Sequence, residues 1–310
     1  MKVVIPGGTG LLGTLLARAL SAGAHEVVVV SRRPRPAPWP VVSWKDVDRQ
    51  IDGCDVVINL AGRSVNCRYN AANRKEILDS RVLSTRAVGE AITKASSPPR
   101  VWLQASTATI YAHRYDAPND ELTGEIGGDE PGVPETWRFS IGVAKAWERA
   151  TTEFSTPRTR KVLMRTAVVM SPQRGGAFDL LWRLARLGLG GAAAGGRQYV
   201  SWIHAADFVS AVLWLAESSL DGAVNIAATN PLPYREFMGR LREVAGAPVG
   251  LPATRWMLEV GAFALRTETE LILKSRRVTP RRLLDAGFSF QFPSWREACA
   301  DLARRKITRA

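Results

Sequence analysis

The chain has little cysteine: three residues, Cys54, Cys67 and Cys299, among 310. Their odd number and the lack of a CxxC pair argue against both a disulfide scaffold and a structural zinc site. Long apolar runs are also missing, since none approaches the roughly 18 residues that a membrane span needs. The segment after Met1 lacks the pattern of a secretory signal. We therefore expect a reduced, cytoplasmic protein with no membrane partner and no bound metal.

Lysine is scarce as well, with eight lysines beside 34 arginines. Against 29 acidic residues, this gives a net charge of +13, which favours an anionic partner. The basic residues are spread along the chain, however, and do not alternate with aromatic residues in any repeat. That distribution is more typical of an arginine-rich background composition than of nucleic-acid binding. We expect a small-molecule substrate and no nucleic acid.

Apolar runs alternate with helical patterns through the first two thirds of the chain. The runs are too short and too rich in β-branched residues for helices, and they suit strands that are buried on both faces. This alternation predicts an α/β fold of the Rossmann type, with a doubly wound parallel sheet. The predicted strands are 3–5, 26–30, 55–60, 101–105, 161–169 and 223–227, and the predicted helices are 11–21, 71–96, 137–152 and 205–217.

After about Val169 the pattern loosens, and helices dominate from Asn230 onward, at 234–244, 254–265, 271–274 and 295–305. The glycine-rich segment 188–196 is typical of a flexible loop. We predict a smaller, mostly helical C-terminal substrate lobe over 230–310, beside a dinucleotide-binding core over 1–229 to which 170–200 adds part of the lobe. A monomer and a homodimer built on the helices at 71–96 and 137–152 both stay open.

A glycine-rich turn follows the first strand, and Gly7, Gly10 and Gly13 have the spacing G-x-x-G-x-x-G. Glycine permits a tight turn and a close approach of the backbone to a pyrophosphate, which the N-terminus of the next helix attracts. The turn lies between a strand and a helix, as a dinucleotide site requires, although a plain strand-to-helix turn would share this spacing. The predicted cofactor-binding residues here are Gly7, Thr9, Gly10, Leu11, Leu12 and Gly13.

The end of the second strand selects between the two nicotinamide dinucleotides. An NAD site places an acidic residue there to accept the ribose hydroxyls, whereas this chain has Ser31, Arg32 and Arg33. A guanidinium pairs bidentately with a 2′-phosphate, so these residues predict NADP(H) as the cofactor. The alternative is a solvated basic turn.

Several segments resemble the short-chain dehydrogenase/reductase superfamily in its extended form. The run Asp55–Gly62 is similar to the fourth-strand motif beside the adenosine, which implies that Leu60, Ala61 and Gly62 border the cofactor. Gln104–Tyr111 resembles the strand that carries the active-site hydroxyl, and the match puts Thr107 in that place. The segment at 163–166 implies a further cofactor contact at Thr166. The segment at 280–288 resembles the C-terminal domain DUF1731 of an atypical "epimerase family".

The catalytic pattern departs from this superfamily. Its usual tyrosine stands four residues before a lysine, where the ammonium depresses the phenol pKa and holds the ribose. Here Ile141 precedes Lys145 at that spacing, and isoleucine cannot transfer a proton. Lys145 is either a ribose contact or a solvated helix lysine. Thr107 is the best candidate to hydrogen-bond a carbonyl, Tyr111 is a further catalytic candidate, and the remaining candidates are His113, Tyr115, Ser140 and His204.

The sequence is compatible with two functions that belong to different classes of protein. The first is an NADP(H)-dependent oxidoreductase or epimerase-like enzyme that acts on a small, partly apolar carbonyl or hydroxyl substrate. The second is a non-redox protein that keeps the nucleotide site, as a sensor, a scaffold or an enzyme without hydride transfer. The missing tyrosine favours the second function, and the retained Thr107 and Lys145 favour the first. A partly apolar, ring-containing substrate is suggested by a group of aromatic residues taken together, although core packing is the better explanation for each of them singly: Trp137, Phe139, Trp182, Tyr199, Trp202 and Trp256.

Overall fold

A computed structural model describes residues 1–254, 256–259 and 268–308. Its centre is a seven-stranded parallel sheet. The strands of the sheet are β1 (Lys2–Pro6), β2 (Glu26–Ser31), β3 (Val41–Ser43), β4 (Val56–Asn59), β5 (Val101–Thr107), β6 (Arg160–Thr166) and β10 (Gly222–Ile226). Their order in the sheet is β10-β6-β5-β4-β1-β2-β3, which confirms the predicted doubly wound sheet.

Helices cover both faces of the sheet, so its central strands are buried on both sides. Val4 and Val57, on β1 and β4, are fully buried, as their unbroken β-branched runs predict. Leu16 and Leu20 of the first helix pack on one face, together with Phe208 of the sixth helix. The helices are α1 (Leu11–Ala22), α2 (Val47–Ile51), α3 (Ala71–Lys94), α4 (Glu135–Thr152), α5 (Ala177–Arg186), α6 (Ala205–Glu217), α7 (Tyr234–Ala245), α8 (Glu270–Leu273), α9 (Arg281–Asp285) and α10 (Trp295–Ile307).

The prediction of a single strand over 161–169 is wrong. Strand β6 ends at Thr166, and a separate strand, β7 (Val168–Met170), pairs in parallel with β9 (Trp202–His204) in a second sheet. The backbone N–H of Ala167 still donates to the carbonyl of Ile226, at 3.0 Å, so the chain leaves the main sheet only after that residue. The apolar pattern runs through this change of sheet without a break, so periodicity alone could not show it. A third, two-stranded sheet joins β8 (Tyr199–Val200) and β11 (Leu232–Pro233).

A second apolar core holds the C-terminal lobe together. Phe178 and Trp182 of α5 pack in it with Phe237 of α7 and Trp295 of α10. The rings of Phe237 and Trp295 are stacked with their centroids 4.0 Å apart. Helix α5, which the loosened sequence pattern did not predict, therefore belongs with this core. Of the helix predicted over 254–265, residues 256–259 are helical and most of the rest lies outside the described residues.

The carboxyl ends of the parallel strands meet at one edge of the sheet. The glycine turn follows β1 at this edge, Arg32 and Arg33 follow β2, and the segment 60–62 follows β4. Thr107 and Thr166 are the last residues of β5 and β6, and they are register partners. In open α/β sheets, ligands bind outside this edge of the strands. The topology therefore gathers the residues predicted from separate motifs into one region.

Candidate functional site

Of the three glycines with the G-x-x-G-x-x-G spacing, Gly7 and Gly13 are required by the protein's own packing. Gly7 has a φ of 77°, and an added Cβ there would lie 2.5 Å from the Cα of Ala61. An added Cβ on Gly13 would lie 2.3 Å from the Cα of Gly8. These glycines let the turn pack directly on the segment after β4 and let α1 pack on the turn.

Gly10 is different, because no contact with a described residue requires a glycine there. Its φ is −77°, and the nearest atom to an added Cβ would be the Gly7 carbonyl oxygen, at 4.0 Å. It is the N-cap of α1, and no side chain caps the free N–H groups of that helix. A side chain at this position would fill the space over those N–H groups. The turn thus fits a pyrophosphate, for which this cradle would supply backbone donors and the positive end of a helix dipole.

The basic end of β2 is adjacent to the glycine turn, since the N–H of Gly7 donates to the Val30 carbonyl at 2.9 Å. Ser31 is buried, and its hydroxyl accepts from the N–H of Arg33 at 3.2 Å. The side chains of Arg32 and Arg33 are exposed. A carboxylate would normally stand here in an NAD site. The geometry offers two guanidinium groups instead, free to meet a phosphate.

The segment after β4 borders the turn from the other side. The N–H of Leu60 donates to the carbonyl of Pro6 at 2.8 Å, and the N–H of Ala61 donates to the side chain of Asn59 at 3.1 Å. Asn59 is itself fixed, because its amide donates to the buried Gln104 side chain at 2.9 Å. A polar network inside the sheet therefore sets the position of Leu60, Ala61 and Gly62.

Thr107 is positioned as a hydrogen-bond donor. Its backbone is extended, and its hydroxyl accepts the N–H of Thr109 at 3.2 Å. This contact uses a lone pair and leaves the hydroxyl hydrogen to be donated. Beside it on β6, Thr166 donates its own hydroxyl to the Met164 carbonyl at 3.1 Å.

Tyr111 lies in the core and not at the surface of a cleft. Its hydroxyl donates to Asn225 at 2.9 Å and accepts from Arg165 at 3.0 Å, and burial raises its pKa. Arg165 forms two hydrogen bonds of 2.8 Å to Glu148 of α4. The network ties α4 to the ends of β6 and β10, which favours a supporting role for Tyr111.

Ile141 and Lys145 lie on α4, as the sequence predicts. The side chain of Ile141 is buried, and Gly128 of the preceding loop packs over it. The ammonium of Lys145 is partly exposed and pairs with the carboxylate of Asp129 at 3.3 Å. In the described structure Lys145 does not line the cavity beside Thr107.

A cavity of about 120 Å³ opens beside Thr107. Its polar groups include the Ser140 hydroxyl, which donates to the buried carboxyl of Glu270. Burial raises the pKa of Glu270, and Arg276 lies 3.6 Å from it as an ion-pair partner. Twelve residues line the cavity: Val65, Tyr69, Ile77, Arg81, Thr107, Thr109, Phe139, Ser140, Val143, Trp147, Glu270 and Arg276.

The other predicted acid–base candidates lie elsewhere. His204 is buried, and its Nδ1 accepts the N–H of Ala206 at 3.0 Å while its Nε2 faces Asp301 at 3.2 Å. Burial lowers the pKa of His204 to about 4. His113 accepts the N–H of Ser275 at 2.8 Å, with the exposed Tyr115 ring against it. Both histidines thus have structural partners.

Of the six aromatic residues predicted for the pocket, one lines the cavity, two lie in the core, and Trp137 and Tyr199 are partly buried outside it. Phe139 lines the cavity, whereas Trp182 and Trp202 are buried in the second core and Trp256 is exposed. The segment 188–196 is held by backbone hydrogen bonds to residues 251–253 and does not line the cavity. The sequence reasoning missed Tyr69, Arg81, Trp147, Glu270 and Arg276, which carry no motif and meet only in the folded chain.

Comparison with known proteins identifies the family. The model of the NAD dependent epimerase/dehydratase family matches residues 3–227. The chain belongs to this family. A second model, the domain of unknown function DUF1731, matches residues 253–302. This confirms the resemblance that the sequence motifs indicate.

Two relatives are similar to this chain over nearly their whole length, and a third protein over 58% of its length. The "Epimerase family protein SDR39U1" of Bos taurus is 33% identical over 94% of this chain and 96% of its own. The crystal structure of human SDR39U1 with NADPH has a TM-score of 0.87 and 31% identity, covering 98% of this chain and 99% of that one. A nucleoside-diphosphate sugar epimerase from Corynebacterium glutamicum has a TM-score of 0.75 and 27% identity, covering 98% of this chain and 58% of that one.

Two further observations concern the described residues only. None of their helices combines the length and the apolar character needed to cross a membrane. No group of three or more histidine, cysteine, aspartate or glutamate side chains among them could hold a metal ion.

Proposed function

We propose that this chain is an NADP(H)-dependent oxidoreductase or epimerase-like enzyme that acts on a small, partly apolar carbonyl or hydroxyl substrate. One observation carries the proposal: the cradle at Gly10 and the donor Thr107 lie at the same edge of the sheet, with a cavity beside Thr107. The human relative crystallised with NADPH supports the choice of cofactor.

Each part of the site would hold a different part of the dinucleotide. The N-terminus of α1 would bind the pyrophosphate, Arg32 and Arg33 would bind the 2′-phosphate, and the segment 60–62 would border the adenosine. Thr166 would border the nicotinamide end. Lys145 would reach the ribose by leaving Asp129, which costs little because Asp129 is almost fully exposed. The nicotinamide would supply or accept the hydride.

The chain's own groups would then orient and polarise the substrate. Thr107 would donate a hydrogen bond to the substrate oxygen, which favours the charge that develops there during hydride transfer. Tyr111 and His204 do not line the cavity. The proton for the substrate oxygen would therefore come through Ser140, which is hydrogen-bonded to Glu270, or through water. Holding the substrate in a fixed orientation beside Thr107 would supply much of the remaining rate enhancement of hydride transfer.

Gly10→Ala and Gly13→Ala form a matched pair that tests the cradle. Gly10→Ala should weaken NADPH binding at least tenfold and leave the free energy of unfolding nearly unchanged, since its Cβ meets only open space. Gly13→Ala should destabilise the fold by about 1–3 kcal/mol, because its Cβ overlaps the backbone of Gly8. Calorimetric titration and urea unfolding measure the two effects. If Gly10→Ala binds NADPH as tightly as the unsubstituted chain, the pyrophosphate does not bind at this turn.

Turnover separates the proposed enzyme from the second candidate, a protein that binds NADP(H) without redox chemistry. The buried Ile141 in the usual place of the catalytic tyrosine favours that candidate. We expect NADPH deuterated at C4 of the nicotinamide to pass its label to at least one member of a panel of small aromatic and aliphatic aldehydes and ketones. Tight NADPH binding with no label transfer to any of them would favour the sensor or scaffold.

A further inference from the structure

Arg81 of α3 lines the same cavity as Thr107. One of its terminal nitrogens donates to the Ile77 carbonyl at 2.9 Å, and the group lies over the Trp147 ring, 4.9 Å from its centre. An added Cβ on Gly62 would lie 3.3 Å from its central carbon. These contacts hold the guanidinium in place, while most of its five donors form no hydrogen bond with the residues that the structure describes.

The charge of Arg81 is not neutralised by a neighbouring acid. No carboxylate in the described part of the chain lies within ion-pair distance of it, whereas Arg276, the other cation of the cavity wall, has Glu270 beside it at 3.6 Å. Burial lowers the pKa of Arg81 to about 10, so it remains a cation at neutral pH. A partly buried cation without a counter-ion is costly, and an anionic ligand would remove that cost.

The cavity wall around Arg81 combines apolar and polar side chains. Ile77 on α3 and Phe139 and Val143 on α4 contribute apolar side chains, together with Val65 and Trp147, while the polar residues of the wall are Tyr69, Thr107, Thr109, Ser140, Glu270 and Arg276. The apolar side chains suit a ring or a short hydrocarbon. The volume of about 120 Å³ also limits the ligand to a small molecule.

We infer that the substrate of this site is a small monocarboxylate with an apolar, ring-sized body, whose carboxylate binds Arg81 while its reacting oxygen meets Thr107. This inference rests on the proposed function and names its substrate class. The planar guanidinium can pair bidentately with a carboxylate, and its central carbon lies over the Trp147 ring. A cofactor phosphate is the other source of an anion at this position, and the experiment separates the two.

The test measures binding of benzoate to the chain loaded with NADP⁺, by calorimetric titration. Benzamide is the uncharged probe of the same shape. We expect benzoate to bind at least tenfold more tightly than benzamide, Arg81→Gln to lose at least tenfold in benzoate affinity, and Arg81→Lys to lose less. The matched control is Arg86→Gln, which removes an exposed cation from the same helix and should change neither affinity.

Titration of NADPH into the same variants completes the experiment. Arg81→Gln should bind NADPH as the unsubstituted chain does. If it loses NADPH affinity and keeps benzoate affinity, Arg81 serves a cofactor phosphate and the inference is overturned. Equal binding of benzoate and benzamide, or no binding of benzoate to a chain that binds NADP⁺, also overturns it. Absence of NADPH binding to the unsubstituted chain would instead reject the proposed function.

Discussion

Replacing Arg32 and Arg33 together with alanine should remove most of the preference for NADPH over NADH. Both side chains are exposed at the end of β2, next to the turn that would hold the pyrophosphate. Hydrogen bonds to a charged group contribute about 1.5–3 kcal/mol each, and about 1.4 kcal/mol is a tenfold change in affinity. We expect NADPH affinity to fall roughly 10- to 100-fold, while NADH affinity changes little. Calorimetric titration with both nucleotides measures the two affinities.

A control for total charge uses Arg149 and Arg158, which are also exposed but lie toward the opposite edge of the sheet, near the amino end of β6. Their double replacement by alanine removes the same charge and should leave the preference intact. If both double variants lose NADPH affinity equally, the effect comes from the overall positive field. If Arg32→Ala with Arg33→Ala retains the full preference, the 2′-phosphate is bound elsewhere.

Thr107→Ala should lower turnover by roughly 100- to 1000-fold, the usual loss when one donor to a developing oxyanion is removed. The hydroxyl accepts from Thr109 at 3.2 Å and has its hydrogen left for a substrate oxygen. NADPH affinity should stay nearly unchanged, because no part of the dinucleotide depends on this donor in the proposed site. The measurement is the rate of NADPH consumption at saturating cofactor, with a substrate found in the label-transfer panel.

Two further substitutions at this position separate chemistry from shape. Thr107→Ser keeps the hydroxyl and should keep most of the turnover, whereas Thr107→Val keeps the shape and should lose as much as alanine. Full activity in the valine variant would show that Thr107 is not the donor. Ser140, which also lines the cavity, would then be the next group to test.

The fold and the position of the glycine turn were predictable because local sequence determines them. A buried parallel strand requires a continuous apolar run, and the turn after β1 requires glycine at Gly7 and Gly13 for steric reasons that are visible in the structure. The strand break at Ala167 was not predictable, since both strands on either side are apolar and differ only in their pairing partners.

Most residues that line the cavity beside Thr107 could not be predicted from the sequence. Arg81 and Trp147 meet across two helices, and Glu270 reaches Ser140 from 130 residues away in the chain. The second contact depends on how the C-terminal lobe packs against α4, and no short motif records either contact. Tyr111 shows the converse: a residue in a suggestive motif is held in the core by Asn225 and Arg165.

In the proposed site, the glycine turn, Thr107 and the cavity between α3 and α4 bind one NADP(H) molecule. A crystal structure of the chain with NADP⁺ tests this arrangement most directly. It should show the pyrophosphate over Gly10, the 2′-phosphate on Arg32 or Arg33, and the nicotinamide facing Thr107. A dinucleotide bound away from Gly10, or a nicotinamide remote from Thr107, would contradict the claim.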